Sequence, residues 1–159
     1  MSIVSVQREI THAPAAVWEA VADIGGVHRF HPAVARSPLT GSRQRGVGAE
    51  RTCHFHDGNH VDERVVAWEE GHSLEVDILR GSFPLVRARA RFVLEPVPIG
   101  TRVTMRMDYT PKFGPIGFVM DQLMMKRQFR GLMGRILEGL ETHLSTGRIV
   151  GPDGAVEAA

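Results

Sequence analysis

Hydrophobic and polar positions alternate strictly at the start of this chain. Val4, Val6 and Ile10 fall on one side and Ser5, Gln7 and Glu9 on the other, which predicts a strand over Ser2–Thr11. Pro14 then opens a short helix over Ala15–Asp23 with Val17, Trp18 and Val21 as its apolar side, and Gly25-Gly26 ends it. Val27–His31 reads as one more helical turn, stopped by Pro32. Six strands follow. Ala33–Thr40 is weak, broken by Pro38, and suits a sheet edge. Val47–His56 and His60–Glu69 flank the turn Asp57-Gly58-Asn59. His72–Leu79 carries Leu74, Val76 and Ile78 on one face. Leu85–Glu95 sets Val86, Ala88, Ala90, Phe92 and Leu94 against Arg87, Arg89 and Arg91. Thr101–Tyr109 puts Val103, Met105, Met107 and Tyr109 together.

The period then changes. From Ile116 to Thr146 no proline intervenes and apolar residues return at three- and four-residue steps. That predicts a helix of roughly 30 residues, about 45 Å long, opened at Pro115 and stopped at Gly147. Strand, two short helices, six strands and a long helix make an α+β chain. Its antiparallel meander has one apolar face, and one long helix is available to cover it. The expected organisation is a single domain over 1–147, with 148–159 a flexible tail that has nothing to bury.

Composition narrows function more than fold. The chain has 159 residues, 43% of them hydrophobic, and a formal net charge of +1. That is enough for a real core and gives no overall electrostatic drive toward nucleic acid. Arg87, Arg89, Arg91, Arg102 and Arg106 do form an outward basic patch, but Glu75 and Asp77 lie beside it and no aromatics interleave it. Cys53 is the one cysteine, so no intramolecular disulfide and no cysteine-built metal site is expected. Met1–Ile10 lacks a basic patch followed by an apolar run, and Lys126, Arg127, Arg130 and Arg135 interrupt the long helix. A cytoplasmic protein with no signal peptide, no integral membrane span and no nucleic-acid partner is therefore expected, as monomer or homodimer.

Several short segments carry a resemblance. They are Ala13-Pro14-Ala15-Ala16-Val17-Trp18, Val47-Gly48-Ala49, Asp57-Gly58, Glu63-Arg64-Val65, Gly100-Thr101-Arg102-Val103-Thr104, and Tyr109-Thr110-Pro111 leading into Gly114-Pro115-Ile116-Gly117. In this order and spacing, over about Ile3–Leu144, the chain resembles the START and pollen-allergen superfamily (SRPBCC), in its bacterial polyketide cyclase/dehydrase-like branch. The resemblance implies a helix-grip fold, a seven-stranded curved antiparallel sheet wrapped around the C-terminal helix, with a cavity for an apolar or amphipathic ligand. No cofactor is expected. Family members include binding proteins, lipid carriers, cyclases, dehydratases and stress proteins, so fold does not choose among activities.

Parity suggests what would line such a cavity. Ala49, Arg51, Cys53 and Phe55 share one face of their strand, and Val61, Glu63, Val65 and Ala67 share one face of the next. Both sets turn inward if the hairpin loop has an odd number of residues; a loop of Asp57-Gly58-Asn59 would set Cys53 opposite Glu63 with Arg51 diagonal to it. An inward Arg51–Glu63 pair follows, and two readings of it stay open. It is a structural ion pair, since buried charge must be partnered, or a polar anchor in which Arg51 orients a ligand carbonyl or enolate and Glu63 serves as acid or base. Tyr109 and His31 complete a provisional catalytic set, beside the alternatives of a core aromatic and a surface histidine. Candidate ligand contacts are Phe30, Cys53, Phe55, Val65, Val76, Ile78, Phe83, Ala88 and Ala90, then Met105, Met107, Phe113, Phe118, Met120 and Met124. Gly131, Gly134 and Gly139 predict tight packing of the helix from Leu132 on, which puts the ligand under Ile116–Met125. No metal is expected; the sole alternative is His54, His56 and His60, with His56 facing His60 on the outer face.

Three functions are compatible with this pattern. The first is binding of a hydrophobic or amphipathic small molecule, lipid- or polyketide-like. The second is cyclase or dehydratase chemistry on a carbonyl substrate in the same cavity. The third is an accessory role for the outer face.

Overall fold

A computed structural model describes residues 1–154 and 156–157. The strands are β1 (Ser2–Ile10), β2 (Val34–Arg36), β3 (Glu50–Phe55), β4 (His60–Glu69), β5 (Ser73–Gly81), β6 (Leu85–Val97) and β7 (Gly100–Pro111). They form one antiparallel sheet in the order β1-β7-β6-β5-β4-β3-β2. Between β1 and β2 lie α1 (Pro14–Ala22) and a 3₁₀ turn, Ile24–Arg29. The chain is a helix-grip fold, as the family resemblance implies, and it contains the meander and covering helix that the apolar pattern predicts.

Each expected strand is present. The departures are local. β2 is reduced to three residues, because Pro38 and the loop after it cannot hold a ladder. The β3–β4 hairpin pairs Arg51 with Glu63, Cys53 with Val61 and His54 with His60. This register differs by two residues from the expected one. Phe55 receives its bond from Gly58 N–H and gives its own N–H to Asn59, so the loop is His56-Asp57-Gly58, with Gly58 at φ 91°. An odd loop closed by a left-handed glycine keeps the face assignment intact, and a two-residue slip moves no side chain to the other face. At the other end of the sheet, a register shift between Leu85 and Arg87 turns Val86 out to solvent and Leu85 inward.

The long helix is continuous from 114 to 146 but not uniform. α2 (Gly114–Met120) passes into a π-helical turn, Asp121–Met125, and then α3 (Lys126–Thr146). The π turn inserts an extra residue into the helical ladder, marked by the Lys126 N–H to Asp121 O bond. It lets Asp121 point inward, where the carboxylate accepts from Ser2 and from Tyr109. From there α3 lies on the concave side of the sheet. Met133, Ile136, Leu137 and Leu140 are buried in the main core with Ile10, Val17, Leu94 and Val103. Of the three glycines, Gly139 alone marks a close approach: a Cβ there would stand 2.2 Å from the Phe30 carbonyl oxygen, whereas at Gly134 it would meet nothing within 4 Å.

The expected tail is anchored over part of its length. Residues Ile149–Val150 pair with Val156–Glu157 as β8 and β9, and Val150 is 2% exposed. Residues 155, 158 and 159 of that segment lie outside the described residues. Among the described residues no helix is long and apolar enough to cross a membrane.

Candidate functional site

A cavity of about 450 Å³ separates the middle of the helix from the sheet. Its existence follows from small side chains on the floor. Ala90 on β6 pairs with Val76 on β5 and with Met107 on β7, so a methyl group stands where a larger residue would meet the helix. The roof is Met125, Phe129, Leu132 and Met133 from the helix. One wall is open because β5 and β6 stop pairing beyond Ile78 and Ala88. Phe83, Pro84 and Leu85 border that gap.

Five polar residues line this apolar space: His31, Arg51 and Glu63 from within, and Gln128 and Arg135, both exposed, at its border. Arg51 Nε donates to Glu63 Oε2 at 2.6 Å, and its Nη1 donates to the Ile24 carbonyl at 3.0 Å. Both side chains are about nine-tenths buried, at 9% and 12% exposed. Burial alone would lower the Arg51 pKa; the Glu63 charge and hydrogen bond outweigh it and leave the pKa raised, so the guanidinium is a permanent cation. Cys53 donates from Sγ to the same Glu63 oxygen at 3.6 Å. Burial, with the Glu63 charge adding to it, pushes the thiol up to about 12. Cys53 is therefore a protonated donor and no nucleophile.

His31 closes the polar end. Its Nδ1 accepts from the Ala33 N–H at 3.2 Å, so Nε2 carries the ring hydrogen. Burial, then the Arg51 charge and more weakly that of Arg135, pushes its pKa down to about 3. His31 is thus a neutral donor at any ordinary pH. Arg135 approaches from α3 and forms no ion pair among the described residues. The polar end carries two cations, one anion and one neutral donor.

The candidate residues divide into four groups. His31, Arg51, Glu63, Phe55, Val76, Ile78, Phe83, Ala90, Met105 and Met107 come together at this cavity. Phe30, Cys53, Val65 and Tyr109 are sealed in the core and do not line it. Tyr109 is 0% exposed, donates to Asp121 and stacks edge-on against Phe129 at 4.8 Å. Burial, and then the bond to Asp121, raises its pKa above the ordinary phenol value. Ala88 lies just beyond the rim and lines a shallower, charged hollow with Arg80, Arg87 and Lys112. Phe113, Phe118, Met120 and Met124 point to solvent instead, so the cavity sits under Met125–Ile136 and meets the expected stretch Ile116–Met125 at its last residue alone.

Met125, Phe129 and Leu132 of the roof were not among the candidates because the π turn rotates the apolar stripe between Met124 and Met125, whereas Met133 belongs to the methionine cluster expected to wall a cavity. Asp121 escaped sequence reasoning, although an acidic residue inside an apolar helical run is a visible signal. The outer histidines are not assembled: His54, not His56, faces His60, with ring centres 6.4 Å apart. Among the described residues no group of three or more His, Cys, Asp or Glu side chains is placed to hold a metal.

Residues 1–145 match the family described as polyketide cyclase/dehydrase and lipid transport. The chain belongs to that family. No curated protein matches the sequence. Solved structures similar to this polyketide cyclase/dehydrase-family chain agree on the fold. The protein XoxI from Bacillus cereus superposes with a TM-score of 0.76 at 17% identity, over 92% of this chain and 97% of that one. A START superfamily protein from Mycobacterium smegmatis gives 0.74 at 14% identity, over 90% and 97%. A Thermobifida fusca protein gives 0.73 at 23% identity, over 91% and 94%. Identities this low speak for the helix-grip fold alone.

Proposed function

We propose that this protein binds an amphipathic small molecule, lipid- or polyketide-like, whose apolar body fills the cavity and whose carbonyl or carboxylate head meets Arg51, Arg135 and the His31 Nε2–H. The observation that carries this is the cavity itself. It has about 450 Å³ of space, within the size range of small-molecule sites, with methionine walls that adapt to different shapes and one cationic end. Lipid transport in the family's description favours the same reading. Native mass spectrometry of freshly purified protein tests it. A co-purified small molecule, lost when Ala90 is enlarged to Phe, supports the proposal. Protein that is bare and binds no fatty acid or aromatic polyketide in titration overturns it.

One observation favours a second reading, acid–base chemistry of the cyclase or dehydratase kind. Glu63 lines the cavity and holds Arg51 and Cys53 through one oxygen, Oε2, while Oε1 makes no hydrogen bond among the described residues. A carboxylate so placed could take a proton from a carbon beside a carbonyl, with Arg51 stabilising the enolate. Glu63→Gln separates the two: a carrier retains its ligand, whereas an enzyme loses turnover at unchanged binding.

A further inference from the structure

The N-terminal part of the long helix is apolar on its outer face, and among the described residues nothing covers it. Ile116 is 73% exposed, Val119 55%, Met120 48% and Leu123 71%. Their spacing of three, four and seven residues makes them one stripe. Phe113, just before the helix, adds its ring at 73% exposure with the backbone at φ 72°, a left-handed conformation that is unfavourable for a bulky residue. Single exposed apolar residues mean little, but a contiguous patch of this kind marks an interaction surface.

Charge selects the partner. Lys112 precedes the patch, and Lys126, Arg127 and Arg130 follow it on the next two turns. None of the four forms an ion pair among the described residues, whereas on the outer sheet face Arg89, Arg91, Arg102 and Arg106 are each paired with a carboxylate. The one acid in this part of the helix, Asp121, is buried and faces the core. A second copy docked face to face would bring two such cationic rims together, so self-association is disfavoured. A surface with apolar depth and an anionic rim fits both features.

We propose that this face docks on anionic lipid bilayers, with Phe113, Ile116, Val119, Met120 and Leu123 entering the headgroup–acyl boundary and Lys112, Lys126, Arg127 and Arg130 meeting lipid phosphates. The Lys112 N–H donates to the Pro84 carbonyl at 2.9 Å, which ties the start of the patch to the rim of the cavity. The docked face therefore adjoins the cavity mouth. The proposal stands on the exposed face and holds whether or not the cavity carries a lipid.

Sedimentation with phosphatidylcholine vesicles, and with phosphatidylcholine–phosphatidylglycerol vesicles at three to one, tests it. The protein is expected to sediment with the anionic vesicles only, and less so as salt rises. Lys126→Gln and Arg127→Gln should each weaken partitioning about fivefold, and Leu123→Glu should remove it. Leu123 and Arg127 are exposed and Lys126 is half-buried, and an unchanged thermal melt confirms that the variants fold. Equal binding to neutral vesicles, no binding to either, or partitioning insensitive to these substitutions overturns the proposal. So does a concentration-dependent dimer that Leu123→Glu dissolves without any vesicle binding.

Discussion

Arg51 and Glu63 face each other across the β3–β4 ladder with Nε 2.6 Å from Oε2. The pair is held by neighbouring strands and roofed by the 3₁₀ turn, whose Ile24 carbonyl accepts a hydrogen bond from a second guanidinium N–H. Removing one partner leaves the other charge enclosed. Arg51→Leu is expected to cost about 3–5 kcal/mol, the range for breaking a buried pair from one side. The double variant Arg51→Leu, Glu63→Leu should recover most of that, since neither charge is then stranded. Urea denaturation of the four proteins in the cycle measures the coupling, and additive losses would show the pair to be mere neighbours.

His31 makes stability depend on pH, with a sign set by its environment. Unfolded, it takes up a proton near 6.5; folded, it does so only near 3. Between these values the unfolded chain binds more protons, so stability rises with pH. The His31 contribution is complete above about 6.5 and is lost as pH falls toward about 3. Its slope approaches at most about 1.4 kcal/mol per pH unit. His31→Asn keeps an acceptor for the Ala33 N–H and cannot titrate. The difference between the two proteins in denaturation midpoint should be flat above pH 7 and should favour the variant increasingly below 6. A difference that does not change with pH would show that His31 is solvated.

How much of this was visible in the chain differs by level. The seven strands along the chain and the inward Arg51–Glu63 pair are legible because alternation has a period of 2 and tolerates a two-residue slip of the hairpin. Helix rotation has no such tolerance. One extra residue in the π turn at Asp121–Met125 swings the stripe by about 100°, which is why Met120 and Met124 point to water while Met125, Phe129 and Leu132 line the cavity. Tyr109 was legible as inward. That its hydroxyl faces Asp121 instead of the cavity depends on the same inserted residue.

Asp121 holds the π turn in place. Its carboxylate is 0% exposed and accepts from Ser2 and Tyr109, from two different strands. Tyr109→Phe removes one donor to a buried acceptor, with an expected loss of about 1–3 kcal/mol. The loss should be felt first in α2, seen as faster amide exchange over Gly114–Met125 than over Lys126–Thr146. Uniform acceleration along the whole helix would argue that Asp121 anchors the core generally and not this turn.

Two glycines of one helix should respond oppositely to alanine. At Gly139 the new Cβ would stand 2.2 Å from the Phe30 oxygen and 3.5 Å from Val150 Cγ1, both on packed structure. The helix would have to retreat, and the clash outweighs the gain of about 1 kcal/mol in helix propensity, so Gly139→Ala should lower Tm. At Gly134 nothing lies within 4 Å, and Gly134→Ala should raise Tm by about 2–4 °C. The contrast is the measurement: a matching response at both sites would mean that the helix does not touch the 3₁₀ turn at Gly139.

Ala90 tests whether the cavity is a ligand site or a packing defect. It lies on the floor between Val76 and Met107, with the open volume of the cavity above it. Ala90→Phe projects a ring into that space without displacing a packed neighbour, and apolar surface buried there contributes about 25 cal/mol per Å². The apo protein should therefore be as stable as the wild type or more so. If the space serves a ligand, the same substitution abolishes binding, and the wild type overtakes the variant in Tm once ligand is added, by RT ln(1 + [L]/Kd). Crossing of the two melting temperatures on adding a fatty acid is the expected result. A variant stabilised equally with and without ligand would show that filling the space displaces nothing that binds there.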